Sequence, residues 1–575
     1  MRRGFGSRHT RLELIVLALA LSGVGLAQAK KKKPRRPPNH HFIEDEFGFH
    51  GGMSTLPDFQ VQGPGLQDEL APDERATRSH AGSTLIAIDG AYLVLDRDAG
   101  ALIVSDRHGE ARTSLEVGED PTQMVWDAKR RRVWVADHRG DRIVAVEVGD
   151  AAADFALREE KSLTVFSPWG LALHPDGRRL FVTSSVQGTV RQIDTQVMKK
   201  SWERKLGPEP RPVAVSPDGQ RLMVGFLTLG ATAELRLGAQ VEATPREVIY
   251  HSIDPGMSTG TAFNRGLQQH LVMPQQAQVG GQGTSSPNAG KSFARNTFAL
   301  AYLGPQLAVV PHQLSTPVAE NVNQRQDFGG YGGGGDFTFP VSHRLIFLQG
   351  EGESTQGVHV SVGVHQPRAL AYDATRDRLY VVGHGDDSLV AIDEATSANM
   401  HLAYKVRLHG DASAPSPEQA CGADGIALSG DTVAVHCGLE RSVRVLSADD
   451  GSTVHGGSAL VASHLSPAAQ RGAEVFRRGG DARISTRGAM ACASCHPEGL
   501  TDGLSWRIEG RELQTPLITG RLVGTHPFKW DGQDKDLPSS LRNTVGRLGG
   551  SGLSEAEAND LQAYLEGLAA PRAPL

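Results

Sequence analysis

The sequence has 575 residues, of which 22% are charged and 39% hydrophobic, and its formal net charge is −6. A chain of this length exceeds what one small hydrophobic core organises, so several domains are expected. Residues 1–29 carry four arginines and one glutamate, a net charge of +3, which leaves about −9 on the rest of the chain. An acidic chain of this kind does not predict a nucleic-acid partner.

The first 29 residues have the pattern of a secretory signal peptide. Four arginines lie within the first eleven residues, a short apolar run follows at 14–21, and residues 27–29 form an A-x-A-like cleavage site. The apolar run is too short to span a bilayer, and no second run of about 18 apolar residues occurs. We therefore expect an exported protein, periplasmic or at the cell surface of a bacterium, with no transmembrane span in the mature chain.

Residues 30–79 are expected to form a disordered tail and linker. Four lysines at 30–33 precede a stretch of only prolines and arginines at 34–38. Such a composition cannot bury a core, so we interpret it as a solvated linker. Contact with anionic lipid headgroups or with an acidic partner is the alternative.

Residues 80–455 contain a repeat of short alternating strands. The stretch that begins at Pro121 returns at Pro168 and Pro212, 47 and 44 residues apart, and Pro-Asp-Gly turns separate the strands. Strand-only repeats with a period of about 40–50 residues are typical of β-propellers. Seven copies predict seven blades, the others beginning near Thr84, Asn296, Pro367 and Asp424.

The repeats resemble the YVTN-type propellers of exported bacterial proteins. The match is clearest at residues 378–382, Arg-Leu-Tyr-Val-Val, followed by 387–393. This resemblance covers about residues 80–450 and implies a fold but not a function. The repeat spacing widens twice, which predicts long inserts near 227–294 and 315–360 with no assigned role.

Two of the four cysteines, Cys421 and Cys437, lie in one repeat. They are symmetric about Ser429, the first residue of a Ser-Gly-Asp turn between two apolar runs. A hairpin there would bring the two thiols together, and an exported compartment permits a disulfide. We expect that disulfide, with two buried free thiols as the alternative.

The other two cysteines, Cys492 and Cys495, belong to a C-x-x-C-H motif that ends at His496. This is the attachment signature of c-type haem: two thiols tether the ring and the histidine ligates the iron as proximal ligand. The alternative, a zinc site, needs a second Cys/His pair, but no cysteine follows and His526 is the one later histidine. The sequence therefore predicts one covalent haem c.

Two helices are predicted beyond residue 463. Ser466 followed by Pro467 is typical of a helix start, and this helix is expected to end near Arg477. Ser554 and Glu557 form a capping box before an amphipathic pattern. The apolar positions of that second helix are Leu561, Tyr564, Leu565 and Leu568.

Residues 463–570 resemble the small all-α cytochrome c fold. In that family a glycine and an aromatic residue on the first helix face an aromatic residue on the last, and Gly472, Phe476 and Tyr564 match those positions. A small residue lets two helices approach closely. The predicted architecture is therefore multidomain: a seven-bladed all-β propeller followed by a small all-α cytochrome c domain.

The same segment also resembles the C-terminal half of bacterial di-haem cytochrome c peroxidases. The matching pieces, in order, lie at 471–476, 492–496, 501–504, 515–517 and 530–532. The chain departs from that family because it has one C-x-x-C-H motif and no methionine after Met490, and because Trp530 replaces the family's histidine. The resemblance thus implies haem c more strongly than peroxidase activity.

The missing methionine leaves the sixth iron ligand open. His526 is the candidate distal ligand, with Lys529 weaker, and a propeller residue or an open site remains an alternative. Trp530 is either a residue at the haem edge or an ordinary buried core tryptophan.

The function expected from these features is electron transfer through the haem, with the propeller as a docking or substrate-binding platform. The expected partners are a redox protein and, as an alternative, a small-molecule substrate. A peroxidase-like oxidoreductase and a surface-binding or structural propeller with an accessory haem are the rival functions. The sequence assigns no catalytic residues, and calcium as a further ion is an alternative that no motif supports.

Overall fold

The computed structural model describes residues 61–62, 65–67, 69–71, 74, 80–255, 291–317, 340–408 and 420–573. All of them belong to one compact unit that comprises residues 53–575. The predicted signal peptide and the basic tail at 30–60 lie outside the described residues. Within the described residues, no helix has the length and apolar character needed to cross a bilayer.

Seven antiparallel sheets follow one another along the chain, so the seven-bladed propeller is confirmed. We number them blades 1 to 7. Their strands are Leu85–Ile88, Ala91–Asp96, Ala101–Asp106 and Ala111–Glu116 in blade 1; Pro121–Asp127, Arg132–Asp137, Arg142–Val148 and Leu157–Thr164 in blade 2; Pro168–Leu173, Arg179–Ser184, Thr189–Asp194 and Lys199–Lys205 in blade 3; Pro210–Val215, Arg221–Phe226, Ala231–Arg236 and Val248–Ser252 in blade 4; Ala301–Gly304, Leu307–Ser315, Val341–Gln349 and Gln356–Ser361 in blade 5; Pro367–Asp373, Arg378–Gly383, Ser388–Asp393 and His401–Arg407 in blade 6; and Ala423–Ser429, Thr432–Cys437, Ser442–Ser447 and Thr453–Gly456 in blade 7.

The first strand of each blade lies innermost. These strands contact one another in chain order, and the ring closes because the first strand of blade 7 contacts that of blade 1. Each blade packs between two neighbours, so successive residues of a strand are buried on opposite faces. Phe181, for example, packs with Val224 of blade 4, whereas Leu180 packs with Trp134 of blade 2.

Local turn chemistry explains why the repeats form hairpins. At the turn of blade 3, the Asp176 carboxylate accepts the backbone N–H of Arg178 at 2.7 Å. Gly177 has a φ of 69°, in the left-handed region that glycine adopts without strain. The Pro-Asp-Gly signal therefore marks a real strand-to-strand turn.

Three short strands add to the four-stranded blades, and one of them, Val61–Gln62, lies in the predicted linker. Val61–Gln62 pairs with the outer strand of blade 5, and His80–Ala81 pairs with the innermost strand of blade 4. Phe293–Arg295 pairs with Leu307–Ser315. The predicted linker at 30–79 is thus partly ordered.

The inserts predicted near 227–294 and 315–360 are shorter than expected, because parts of both ranges form strands of the blades. They include the last two strands of blade 4 and the last two of blade 5. The repeat spacing misplaced these boundaries because two short strands, Phe293–Arg295 and Ala301–Gly304, precede Leu307–Ser315 in blade 5. The next two strands, Leu307–Ser315 and Val341–Gln349, are each nine residues long. Residues 256–290 and 318–339, the middle of each predicted insert, lie outside the described residues.

A disulfide joins Cys421 to Cys437 with an S–S distance of 2.10 Å, the pairing that the hairpin pattern predicts. The hairpin consists of the first two strands of blade 7, which pair Ala423 with Cys437. Both sulfurs belong to fully buried residues.

Beyond blade 7 the regular secondary structure is mainly helical, and loops connect its elements. Its helices are α1 (Pro467–Arg477), α2 (Cys492–Cys495), α3 (Leu537–Arg547) and α4 (Glu555–Gly567). A two-stranded hairpin, Ser505–Ile508 with Arg511–Gln514, shows that the expectation of an all-α segment is wrong. Single 3-10 turns occur at Ala151–Ala153, Gly352–Ser354, Thr486–Gly488 and Pro497–Gly499.

The two predicted helices, α1 and α4, are confirmed with their caps. The Ser466 hydroxyl accepts the backbone N–H of Ala469, and Ser554 and Glu557 form the capping box. The helices cross closely at Gly472, where an added Cβ would lie 2.0 Å from the carbonyl oxygen of Asp560. The rings of Phe476 and Tyr564 pack beside this crossing, 5.4 Å apart.

Gly472→Val is expected to separate α1 from α4, because the side chain would occupy space that the Asp560 backbone fills. We expect a loss of unfolding free energy of at least about 3 kcal/mol, measured by urea denaturation. Gly546→Ala in α3 is the matched control, since nothing lies within 4 Å of its added Cβ. That control should be neutral or stabilising by about 1 kcal/mol, and equal effects in both variants would contradict the close crossing.

Candidate functional site

The two cysteines of the C-x-x-C-H motif lie on the single turn of α2, with unpaired, half-buried side chains. Cys492 packs against the helical core that contains Phe476, and Cys495 packs against a second apolar cluster that contains Trp506. Burial raises the pKa of the Cys492 thiol to about 11 and that of Cys495 well above its ordinary value. Both groups are therefore neutral thiols near pH 7.

The histidine of the motif, His496, follows α2 directly. Its Nδ1 lies 3.2 Å from the carbonyl oxygen of Leu500, an acceptor for the Nδ1 proton. Burial lowers the pKa of His496 to about 4, although the carbonyls of Leu500 and Pro516 oppose the shift. The imidazole is thus neutral, and a backbone acceptor at one nitrogen orients the other for ligation.

The loop after the motif folds back on it. The backbone N–H of Asp502 donates to the carbonyl of Cys495 at 3.0 Å, and the Asp502 carboxylate accepts the indole N–H of Trp506 at 2.9 Å. The Thr-Asp-Gly stretch at 501–503 is therefore a structural brace for the second cysteine.

One face of the propeller carries the motif. We call it the docking face: it consists of the segments that lead into and begin the innermost strands, the ends of the second strands, and the turns between the second and third strands. Asn296 and Gln313 of blade 5 donate side-chain N–H groups to the carbonyl of Ser494, at 3.1 and 2.8 Å. Because Ser494 lies between the two cysteines, the propeller binds the backbone of the motif itself.

A buried ionic cluster on the docking face surrounds Glu498, two residues after His496. Its carboxylate lies 2.9 Å from Arg97, 3.2 Å from Arg368 and 3.6 Å from Arg211, which belong to blades 1, 6 and 4. Burial alone would raise the pKa of Glu498, but the three guanidinium charges outweigh it and hold the pKa far below its ordinary value. The group is a permanent anion.

A second buried ion pair fastens the end of α1. Arg477 lies 2.8 Å from Asp387 of blade 6 and also pairs with Glu474. Asp387 accepts the backbone N–H of Gly422 at 2.7 Å, next to the disulfide. The amide of Gln366 donates to the carbonyl of Arg477 at 2.7 Å, which closes the clamp.

The candidate distal residues lie in the loop that precedes α3. His526 is exposed, and Trp530 is 70% exposed, so the alternative of a buried core tryptophan is wrong. Val523, in the same loop, is 71% exposed. Lys529 is engaged with α3 through the carbonyl of Ser540 at 3.0 Å, and burial lowers its pKa.

Across the described residues, no group of three or more His, Cys, Asp or Glu side chains has an arrangement suited to a metal ion. The pairing of His496 with a sixth ligand stays a prediction.

The sequence analysis did not predict the docking-face residues, although the sequence contains a weak signal for them. Arg211 and Arg368 each follow the proline that begins the innermost strand of their blade. The equivalent position in blade 3 holds Trp169, so the signal is a charged residue at this position of the repeat.

No family model matches this chain, and no curated protein does. Among solved structures it is similar to hydrazine synthase from Kuenenia stuttgartiensis (14% identity, TM-score 0.42, 70% of this chain and 99% of that one). It is also similar to a functionally unknown protein from Desulfotomaculum acetoxidans DSM 771 (10%, 0.44, 64% and 96%) and to virginiamycin B lyase from Staphylococcus aureus (10%, 0.37, 66% and 97%). Likeness at this level concerns the propeller fold.

Arg477→Gln is expected to loosen the segment beyond residue 466 from the propeller, because it leaves the Asp387 carboxylate buried without its guanidinium. Breaking a buried pair costs about 3–5 kcal/mol, which urea denaturation would measure. Arg158→Gln is the control, since Arg158 and its partner Glu147 are exposed and the loss should stay below about 1 kcal/mol. Similar losses in the two variants would show that Arg477 is not a clamp.

Proposed function

We propose that this protein is an exported c-type cytochrome that carries one haem and transfers electrons. The observation that carries the proposal is the pair of free thiols on one helical turn, followed by a half-buried neutral imidazole whose Nδ1 faces a backbone carbonyl. Cys492 and Cys495 would hold the haem through thioethers, and His496 would ligate its iron. When bound, the haem supplies one-electron redox chemistry.

The surroundings of the motif fit such a group. Apolar clusters flank the two cysteines on both sides, and they would exclude water from the ring. The close crossing at Gly472 with the packed rings of Phe476 and Tyr564 supports a cytochrome c type of helix pair. The disulfide between Cys421 and Cys437 supports an oxidising compartment, as expected for an exported chain.

The propeller's part in this function differs from a free docking platform. Its docking face binds the chain's own segment beyond residue 466 through Arg97, Arg368 and Asp387. A redox partner would therefore approach elsewhere, and the propeller acts first as a scaffold for the haem motif.

Covalent haem attachment tests the proposal directly. Wild-type chain produced with a haem c maturation system should gain the mass of one haem and give a pyridine haemochrome spectrum of the c type. Replacing Cys492 and Cys495 with Ala should abolish both signals, because no thiol remains to tether the ring. The control, Cys421→Ala with Cys437→Ala, should retain one haem per chain, and a haem-free wild type would refute the proposal.

The sixth ligand separates electron transfer from peroxidase-like chemistry. With His526 as ligand, the ferric haem should be low-spin and unchanged by peroxide, and His526→Ala should convert it to high-spin. His464→Ala, at another exposed histidine, is the control and should stay low-spin. A low-spin His526→Ala variant would remove His526 as ligand, and a high-spin wild type would favour the oxidoreductase alternative.

A further inference from the structure

The ionic cluster around Glu498 does more than fasten two parts of the chain. We propose that Glu498 is a positioning residue that fixes the backbone of His496, and that the cluster's charges set the reduction potential of the haem. This inference rests on the proposed haem function, and it identifies the propeller as the part of the chain that tunes the haem.

Three arginines from different blades of the propeller hold the carboxylate of Glu498. Arg97 follows the second strand of blade 1, whereas Arg211 and Arg368 lie on the innermost strands of blades 4 and 6. Residues of non-adjacent blades can meet one carboxylate only near the propeller axis. The Arg211 guanidinium lies 3.5 Å from the ring centroid of Trp169, and that of Arg368 lies 3.7 Å from the ring centroid of Phe298. The aromatic rings fix the planes of the two guanidinium groups.

The backbone at Glu498 links this cluster to His496. Glu498 has a φ of 55°, in the left-handed region that a non-glycine residue rarely adopts without support. It occupies the centre of the turn Pro497–Gly499, whose end donates the Gly499 N–H to the carbonyl of His496 at 2.9 Å. The ion pairs that hold Glu498 therefore also hold the turn that carries the iron ligand.

The charges of the cluster are close to balanced. Arg97 also pairs with Asp120 at 2.8 Å, and Arg211 pairs with Glu209 at 2.8 Å, which gives three cations and three carboxylates with Glu498. Two residues of chain span at most about 7 Å, so Glu498 lies close to His496. Charges in a buried site act over such distances with little screening.

A merely structural ion pair and a tuning cluster make different predictions. Loss of the Glu498 charge leaves a net positive cluster, which favours the reduced haem. Loss of the Arg368 charge leaves a net negative cluster, which favours the oxidised haem. If the ion pairs had only a structural role, both substitutions would destabilise the protein. They would not shift the reduction potential of the haem in opposite directions.

The experiment measures haem content, reduction potential and backbone hydrogen exchange in the full-length holoprotein. Glu498→Gln should raise the ratio of reduced to oxidised haem at fixed ambient potential by about tenfold, and Arg368→Gln should lower it. Glu498→Asp, which keeps the charge, should shift the ratio less than Glu498→Gln. Glu234→Gln is the control: Glu234 is more deeply buried than Glu498 and pairs with His251 on the third and fourth strands of blade 4, away from the docking face.

Hydrogen exchange tests the positioning role independently of the haem. Glu498→Gln should lose protection in the segment 496–504 and keep it in blades 2 and 3. If the wild-type chain binds no haem and Glu498→Gln still loses protection at 496–504, the positioning role is supported and the proposed cytochrome function is refuted. A haem-loaded Glu498→Gln with unchanged potential and unchanged protection would overturn the inference. If Glu498→Gln does not fold, Arg368→Gln tests the inference instead. A lower ratio of reduced to oxidised haem in that variant supports the inference, and an unchanged or higher ratio overturns it.

Discussion

The buried ionic contact between the propeller and the segment beyond residue 466 is the interaction on which the arrangement of the site depends. Burying charges is costly unless each finds a partner of opposite sign. Glu498 meets this condition with three arginines, and Arg477 meets it with Asp387 and Glu474. Because the arginines come from blades 1, 4 and 6 and Asp387 also comes from blade 6, the contact forms only when the propeller ring is closed. The C-x-x-C-H motif is therefore built against a completed propeller.

The ring supplies rigidity, and its docking face supplies polar groups. Each blade is packed on both sides, so the residues that begin the innermost strands have little freedom. Several of them adopt left-handed backbone conformations, among them Asn296 and Gln366. Both use their amides to bind carbonyls of the helical segment. Strained positions on a rigid support are typical of places that hold a functional group in register.

The chemistry proposed for the motif follows from this enclosure. Neutral thiols and a neutral imidazole are the forms in which these side chains tolerate burial, and burial is what shifts their pKa values. The apolar clusters on either side of α2 would shield a bound ring from water. The propeller adds fixed charges at one side, so the same contact that fastens the segment also sets the electrostatic field at His496, the proposed iron ligand.

The sequence by itself determined the features that depend on neighbours in the chain: the seven strand repeats, the cystine hairpin around residue 429 and the capped helices α1 and α4. Turns and helix caps are decided within a few residues, which is why these predictions succeed. The insert boundaries failed because spacing alone cannot tell a long strand from a loop. Only the tertiary structure decided the surroundings of Glu498. Arg97, Arg211 and Arg368 are more than a hundred residues apart in sequence, and closure of the ring is what brings them to one carboxylate.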